Sequence, residues 1–234
     1  MSAQPPSSAR AVDSATEGFD LDPVEVRVLG VLIEKAFVTP DAYPLSLNAI
    51  VTGCNQLTAR EPVMSVSEAE AQAAIDSLIA RRLVSRRDQP SSRVAKYEHQ
   101  VRLRHSLPPP EQAVLAVLLL RGAQTAGELR QRCERLHRFD EISAVEAVLE
   151  HLADKFPPMA TTLPRAPGTK ETRYAHLLGG EAAVQDMAEA QAAAPGTPGA
   201  GRGRIAELEL EVARLGAELD TLRREFDTFR QQFD

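Results

Sequence analysis

After Arg82 the sequence reads Leu83-Val84-Ser85-Arg86-Arg87, breaks over residues 88–92 around Pro90, and resumes as Ala95-Lys96-Tyr97-Glu98-His99-Gln100-Val101-Arg102-Leu103. Ala95, Tyr97, His99, Val101 and Leu103 alternate to one side, the two-residue period of a half-buried strand. The stretch is therefore expected to form a β-hairpin. What gives the hairpin its meaning is the material before it, three segments of helical period.

The first segment opens at Asp22-Pro23-Val24-Glu25, which supplies an N-cap, a proline at N1 and a glutamate at N3; Val26, Leu29, Ile33 and Phe37 then mark one face. The second runs from Ser46, a good N-cap, through Leu47, Ile50 and Val51 to about Asn55. The third is expected to open at Ser65, reading Ser-Val-Ser-Glu as a capping box, with Ala71, Ala74, Ile75 and Leu78 inward. Helix, helix, helix, hairpin is the order of a winged helix, a helix-turn-helix variant in which the hairpin is the wing.

The same order recurs downstream. Pro108-Pro109-Pro110 leads a helix from Glu111 to Arg121, and Thr125-Ala126-Gly127-Glu128 is a capping box for a helix to about Leu136. A further helix from about Glu141 turns Val145, Leu149, Leu152 and Phe156 inward. Met159–Leu163, a turn at Pro167-Gly168 and Thr172–Leu177 complete a second hairpin. Lys96-Tyr97-Glu98-His99 and Arg173-Tyr174-Ala175-His176 echo each other, which supports duplication. Their Tyr and His residues are expected to pack the hairpins onto the helices rather than to catalyse.

The fold class is thus mainly α with small β-hairpins: a winged-helix domain over residues 20–107 and a second over 108–179. Residues 1–19, rich in Ser, Ala and Pro, are expected to be a disordered leader, and 180–203 a flexible linker. From 204 to 234 the cleanest periodicity in the chain appears. Ile205, Leu208, Val212, Leu215, Leu219, Leu222, Phe226, Phe229 and Phe233 alternate spacings of three and four, the pattern of a coiled coil. This helix is expected to join two chains in a parallel homodimer, the alternative being docking on its own domain.

Composition bounds the function. The apolar content of 43% is that of a globular protein, and the net charge of −6 leaves any polyanion site to a local patch. Two distant cysteines, Cys54 and Cys133, suggest neither a disulfide framework nor a zinc site. Without a secretory signal or an apolar run near the ~18–20 residues of a membrane span, the chain is expected to be cytoplasmic, with no membrane partner. It lacks a P-loop, a nucleophile elbow and a metalloprotease motif, so no enzyme activity, cofactor or metal is expected.

The nucleic-acid signal is local. The first wing and its flanks carry Arg81, Arg82, Arg86, Arg87, Arg93, Lys96, Arg102 and Arg104 against Asp88 and Glu98; the second wing carries Arg165, Lys170 and Arg173. Arg86, Arg87, Arg93, Lys96, Arg165, Lys170 and Arg173 are the candidates for phosphate contact with double-stranded DNA. Equally open at this stage is that these side chains are solvated or paired with carboxylates. The third helices offer Glu68, Glu70, Gln72 and Asp76, then Glu146, Glu150 and His151, to solvent, which argues against base reading and keeps a protein-binding scaffold as the alternative.

Longer stretches carry a resemblance. Val28-Leu29-Gly30-Val31-Leu32-Ile33-Glu34-Lys35, Thr39-Pro40-Asp41-Ala42-Tyr43-Pro44-Leu45-Ser46-Leu47-Asn48 and Cys54-Asn55-Gln56 are joined by Leu163-Pro164-Arg165, Pro167-Gly168 and Arg173-Tyr174-Ala175-His176-Leu177-Leu178. With these the chain resembles the YceH-like family of bacterial proteins, over nearly all of residues 20 to 179 and into the final helix. The resemblance implies tandem winged helices and names no activity. Where that family carries a lysine and an asparagine after Cys-Asn-Gln, this chain reads Leu57-Thr58-Ala59-Arg60-Glu61-Pro62. Any phosphate contact from this turn would fall to Arg60.

Overall fold

The computed structural model describes residues 19–87, 94–165, 171–193 and 214. Among them are eight α-helices and six short strands. The account below concerns the compact unit made by the described residues through 165 together with residues 171–189.

Helix α1 (Pro23–Val38) starts where the sequence places it: the Asp22 carboxylate accepts from the amides of Val24 and Glu25, and Glu25 accepts from the Asp22 amide. After a 3-10 turn at Pro40–Ala42 come β1 (Leu45–Ser46) and α2 (Leu47–Cys54), capped by Ser46. Then follow α3 (Glu68–Ala80), β2 (Val84–Arg87) and β3 (Lys96–His99), a sheet of order β1-β3-β2, all antiparallel. A short helix, α4 (Val101–His105), leads to the second set. That set is α5 (Pro109–Arg121), β4 (Gln124–Thr125), α6 (Ala126–Arg132), α7 (Ile142–Ala153), β5 (Ala160–Thr162) and β6 (Arg173–His176), with the matching sheet order β4-β6-β5. Helix α8 (Gly180–Ala193) follows. The chain therefore contains the same helix–strand–helix–helix–strand–strand order twice.

Four details depart from expectation. Helix α3 is capped by Ser67, not Ser65: Ser67 Oγ accepts from the Glu70 amide, and the Glu70 carboxylate accepts from the Ser67 amide. The side chain of Asn55 bonds both the amide and the carbonyl of Val66, holding the chain outside the helix until that point. Val101 and Leu103 belong to a helix, not to the strand, because β2 begins at Val84, whose partner is His99, so no strand remains for them to pair with. Phe156, expected inward, is 80% exposed, since α7 stops at Ala153. Helix α6, expected to reach about Leu136, ends at Arg132.

The core is one contiguous cluster from Phe19 to Leu178, fed by both sets of elements. Residues 25–33 of α1 and 111–120 of α5 are buried on every side, the environment of a helix wrapped by protein all round. They pack on each other at Gly30, where an added Cβ would stand 3.0 Å from Leu120 and 3.1 Å from Leu119. Phe19, which the sequence reading left in the leader, is buried with its ring edge-on to His105 at 5.0 Å.

Candidate nucleic-acid interface

At the turn end of the first hairpin, Arg87 stands opposite Lys96 and Arg86 opposite Tyr97. Tyr97 is buried, its hydroxyl donating to Gln72 Oε1 at 3.3 Å, and this anchors the hairpin on α3. Arg86 and Arg87 are exposed and Lys96 is half-buried. Directly opposed like charges weaken a strand pair; here Glu98 offsets part of the cost, accepting from Arg87 Nε at 2.8 Å.

The second hairpin is wired differently. Arg173 donates to the Ala123 carbonyl at 2.9 Å and pairs with Glu128 at 3.2 Å, tying β6 to the start of α6. Those bonds would have to be released before Arg173 met a phosphate. Arg165 is exposed and reaches Thr172 Oγ1 at 3.5 Å. Arg93, Lys170 and the heptad positions Ile205 to Phe233 lie outside the described residues; Arg214, within that last stretch, is helical and exposed.

Helix α3 turns Glu68, Glu70 and Asp76 to solvent, and α7 turns Glu146, Glu150 and His151. Gln72 is half-buried and donates to Asp76 at 2.8 Å, while its oxygen serves Tyr97. Its amide is thus engaged within the protein on both sides.

Arg60 is not available to a phosphate. Its side chain is fully buried, with Nε donating to the Gly53 carbonyl and the two terminal nitrogens donating to Glu34, Gln56 and the Ala59 carbonyl. Beside it Arg27, also buried, donates to the Cys54 carbonyl at 3.1 Å and the Pro62 carbonyl at 2.6 Å. Burial, then the charge of Arg60, lowers the Arg27 pKa. The stretch Cys54-Asn55-Gln56 therefore serves the fold: each residue holds a neighbouring segment through a carbonyl or an amide side chain.

The candidates for chemistry are quiet. Burial pushes the Cys54 thiol up to about 11, against the pull of Arg27 and Arg60, and the Cys133 thiol up to about 12, so neither is a thiolate at neutral pH. Among the described residues no group of three or more His, Cys, Asp or Glu side chains could hold a metal ion, and no helix is long and apolar enough to cross a membrane.

Comparison with known proteins agrees with the resemblance read from the motifs. Residues 21–169 match the family described as "Protein of unknown function, DUF480". The chain belongs to this family. A UPF0502 protein of Azoarcus sp. (strain BH72) is 75% identical over 199 residues, covering 84% of this chain and 87% of its own. A UPF0502 protein of Janthinobacterium sp. (strain Marseille) is 49% identical over 210 residues, covering 89% and 90%. One of Burkholderia pseudomallei (strain 668) is 53% identical over 167 residues, covering 71% and 70%. None of these relatives carries a catalytic name. The DUF480 match ends at residue 169, before β6 begins at Arg173.

Proposed function

We propose that this DUF480 member is a non-catalytic, cytoplasmic protein of two tandem winged helices, divided near residues 107 and 108, that associates with double-stranded DNA. The observation that carries this is the first hairpin: it projects Arg86 and Arg87 into solvent and sets Arg87 against Lys96, a like-charge arrangement that an anion would relieve. The duplicated element order supports a second wing, on which Arg165 is an exposed cation among the described residues. Carboxylates on α3 and α7 would be repelled by phosphate, so those helices do not read bases and sequence preference is weak.

Fluorescence anisotropy with unrelated duplexes tests this. Reversal of Arg86 and Arg87 to glutamate should lower affinity about equally on every duplex and flatten the salt dependence by about one unit of slope per lost contact. Glu68→Ala should leave the ranking of duplexes unchanged. Absence of binding to any duplex at low salt sinks the proposal.

The second reading, a protein-binding scaffold, is favoured by Leu57, Leu103 and Phe156, each 80% exposed. Capture from lysate that survives nuclease treatment would support it; capture that nuclease abolishes supports DNA.

A further inference from the structure

Beside the contact of α1 with α5 lies a cleft of about 490 Å³. Its walls come from the C-terminal part of α1, the turn at residues 56–59, the C-terminal part of α5, and the segment from α6 through Leu136. Among the described residues it is lined by four cations, Lys35, Arg121, Arg132 and Arg135, against one carboxylate, Glu34. That concentration of positive charge stands in a chain of net charge −6.

The carboxylate is already spoken for. Glu34 receives both terminal nitrogens of buried Arg60, at 3.0 and 2.7 Å, and pairs with Lys35 at 3.3 Å. Arg132 reaches Glu128 only at 4.0 Å. Among the described residues, neither Arg121 nor Arg135 makes an ion pair within 4 Å. Arg121 is half-buried; burial, then the charges of Arg132 and Arg60, lower its pKa against the opposing pull of Glu34 and Glu61. A partly desolvated guanidinium without a carboxylate in direct contact is a cost in the folded state that a bound anion lowers.

Part of the cleft lining is apolar. Val117 and Leu120 are buried at its lining, Val38 and Leu136 are half-buried, and Leu57 stands 80% exposed. Small-ligand sites combine roughly 300–1,000 Å³ of space with a mainly apolar lining and a few placed charges. A bare inorganic anion would leave Leu57 in water. A duplex would meet exposed Arg135 and leave Arg121 without a partner.

We propose that this cleft binds a small organic anion that joins a carboxylate or phosphate monoester to an apolar body, the anion on Arg121, Arg132 and Arg135 and the body on Leu57 and Val38. The proposal is independent of DNA association.

Calorimetric titration of the full chain with phenyl phosphate, phenylacetate, inorganic phosphate and benzyl alcohol tests it. One phenyl phosphate or phenylacetate should bind per chain, at least about tenfold tighter than inorganic phosphate or benzyl alcohol, and Arg121→Gln and Arg135→Gln should each weaken binding by about tenfold, the effect of losing one charge-assisted hydrogen bond. Arg135 is exposed, so R135Q keeps the test valid even if R121Q impairs folding. The wing double variant R86E/R87E should bind phenyl phosphate as the wild type does, which separates this site from the DNA interface. No saturable binding of either phenyl anion in the millimolar range, equal affinity for inorganic phosphate, unchanged affinity in R135Q, or displacement of phenyl phosphate by a duplex each overturns the proposal.

Discussion

The guanidinium of Arg60 meets both carboxylate oxygens of Glu34, 26 residues away, with the Arg60 side chain fully shielded from solvent. It links the turn after α2 to α1. Burial alone would raise the Glu34 pKa, but the hydrogen bonds and charge of Arg60, with Lys35, outweigh it and hold the carboxyl below its usual value. Removing one partner strands a buried charge and is expected to cost about 3–5 kcal/mol. Urea unfolding of Glu34→Gln and Arg60→Met should show such losses, with the double variant losing less than their sum. Strict additivity would show that the pair does not act as a unit. The sign with pH follows from the lowered carboxyl: the stabilisation is present above the ordinary carboxylate value and is lost as pH falls through the folded one.

Gly53 makes a second link between α2 and α1. A Cβ there would lie 2.6 Å from Val31 Cγ1, and Val31 is fully buried. Gly53→Ala is therefore expected to destabilise by about 1–3 kcal/mol through overpacking. Val31→Ala should relieve part of that loss in the double variant. A neutral or stabilising Gly53→Ala in chemical unfolding would mean that the two helices separate easily.

The legible parts of the chain were those encoded by neighbours. Asp22 with Glu25 and Thr125 with Glu128 announced α1 and α6 because a capping box is read within four residues. The box was read at Ser65 whereas Ser67 caps α3, and what sets the later start is Asn55, 11 residues before Val66, whose side chain bonds the Val66 amide. Strands β1 and β4, two residues each, have no period to read and exist through pairing with β3 and β6. Among the site residues, exposure of Arg86 and Arg87 goes with their place beside the turn, since alternation alone would set only one of two adjacent residues outward. The capture of Arg173 by Glu128 and of Arg60 by Glu34 did not, since both partners arrive from distant segments. The cleft was illegible for the same reason: its cations come from three separated stretches of chain.

Buried histidines set an acid limit. His99, His105 and His176 are all held down at about 4, chiefly by burial, and His176 is the most enclosed of them, its Nδ1 without a hydrogen-bond partner among the described residues. A depressed histidine binds its proton more weakly in the folded state than in the unfolded one, so its stabilisation is complete above about pH 6.5 and is lost as pH falls from there toward 4. Urea unfolding at several pH values should show stability constant near neutrality and declining across that window, with a slope smaller by up to one proton in His176→Leu. Identical slopes for the wild type and the variant would remove His176 from the account.

The heptads of residues 204–234 yield a prediction that depends on sequence alone, since their side chains lie outside the described residues. With Ile205 at an a position, Val212 and Leu219 follow at a, while Leu208, Leu215 and Leu222 fill d; β-branched a with leucine d favours two parallel strands. The flanks point the same way. Glu218 and Glu225 at g face Arg223 and Arg230 at e of a parallel partner, whereas an antiparallel pair would set glutamate against glutamate. Phe226, Phe229 and Phe233 are bulky for the seam and are expected to widen its end. Sedimentation equilibrium should find the full chain dimeric and a truncation ending at Gly203 monomeric, and reversing Arg223 and Arg230 to glutamate should shift the full chain toward monomer. Monomers for both lengths would leave docking of the helix on its own chain as the reading, and dimers for both would move the interface into residues 19–193.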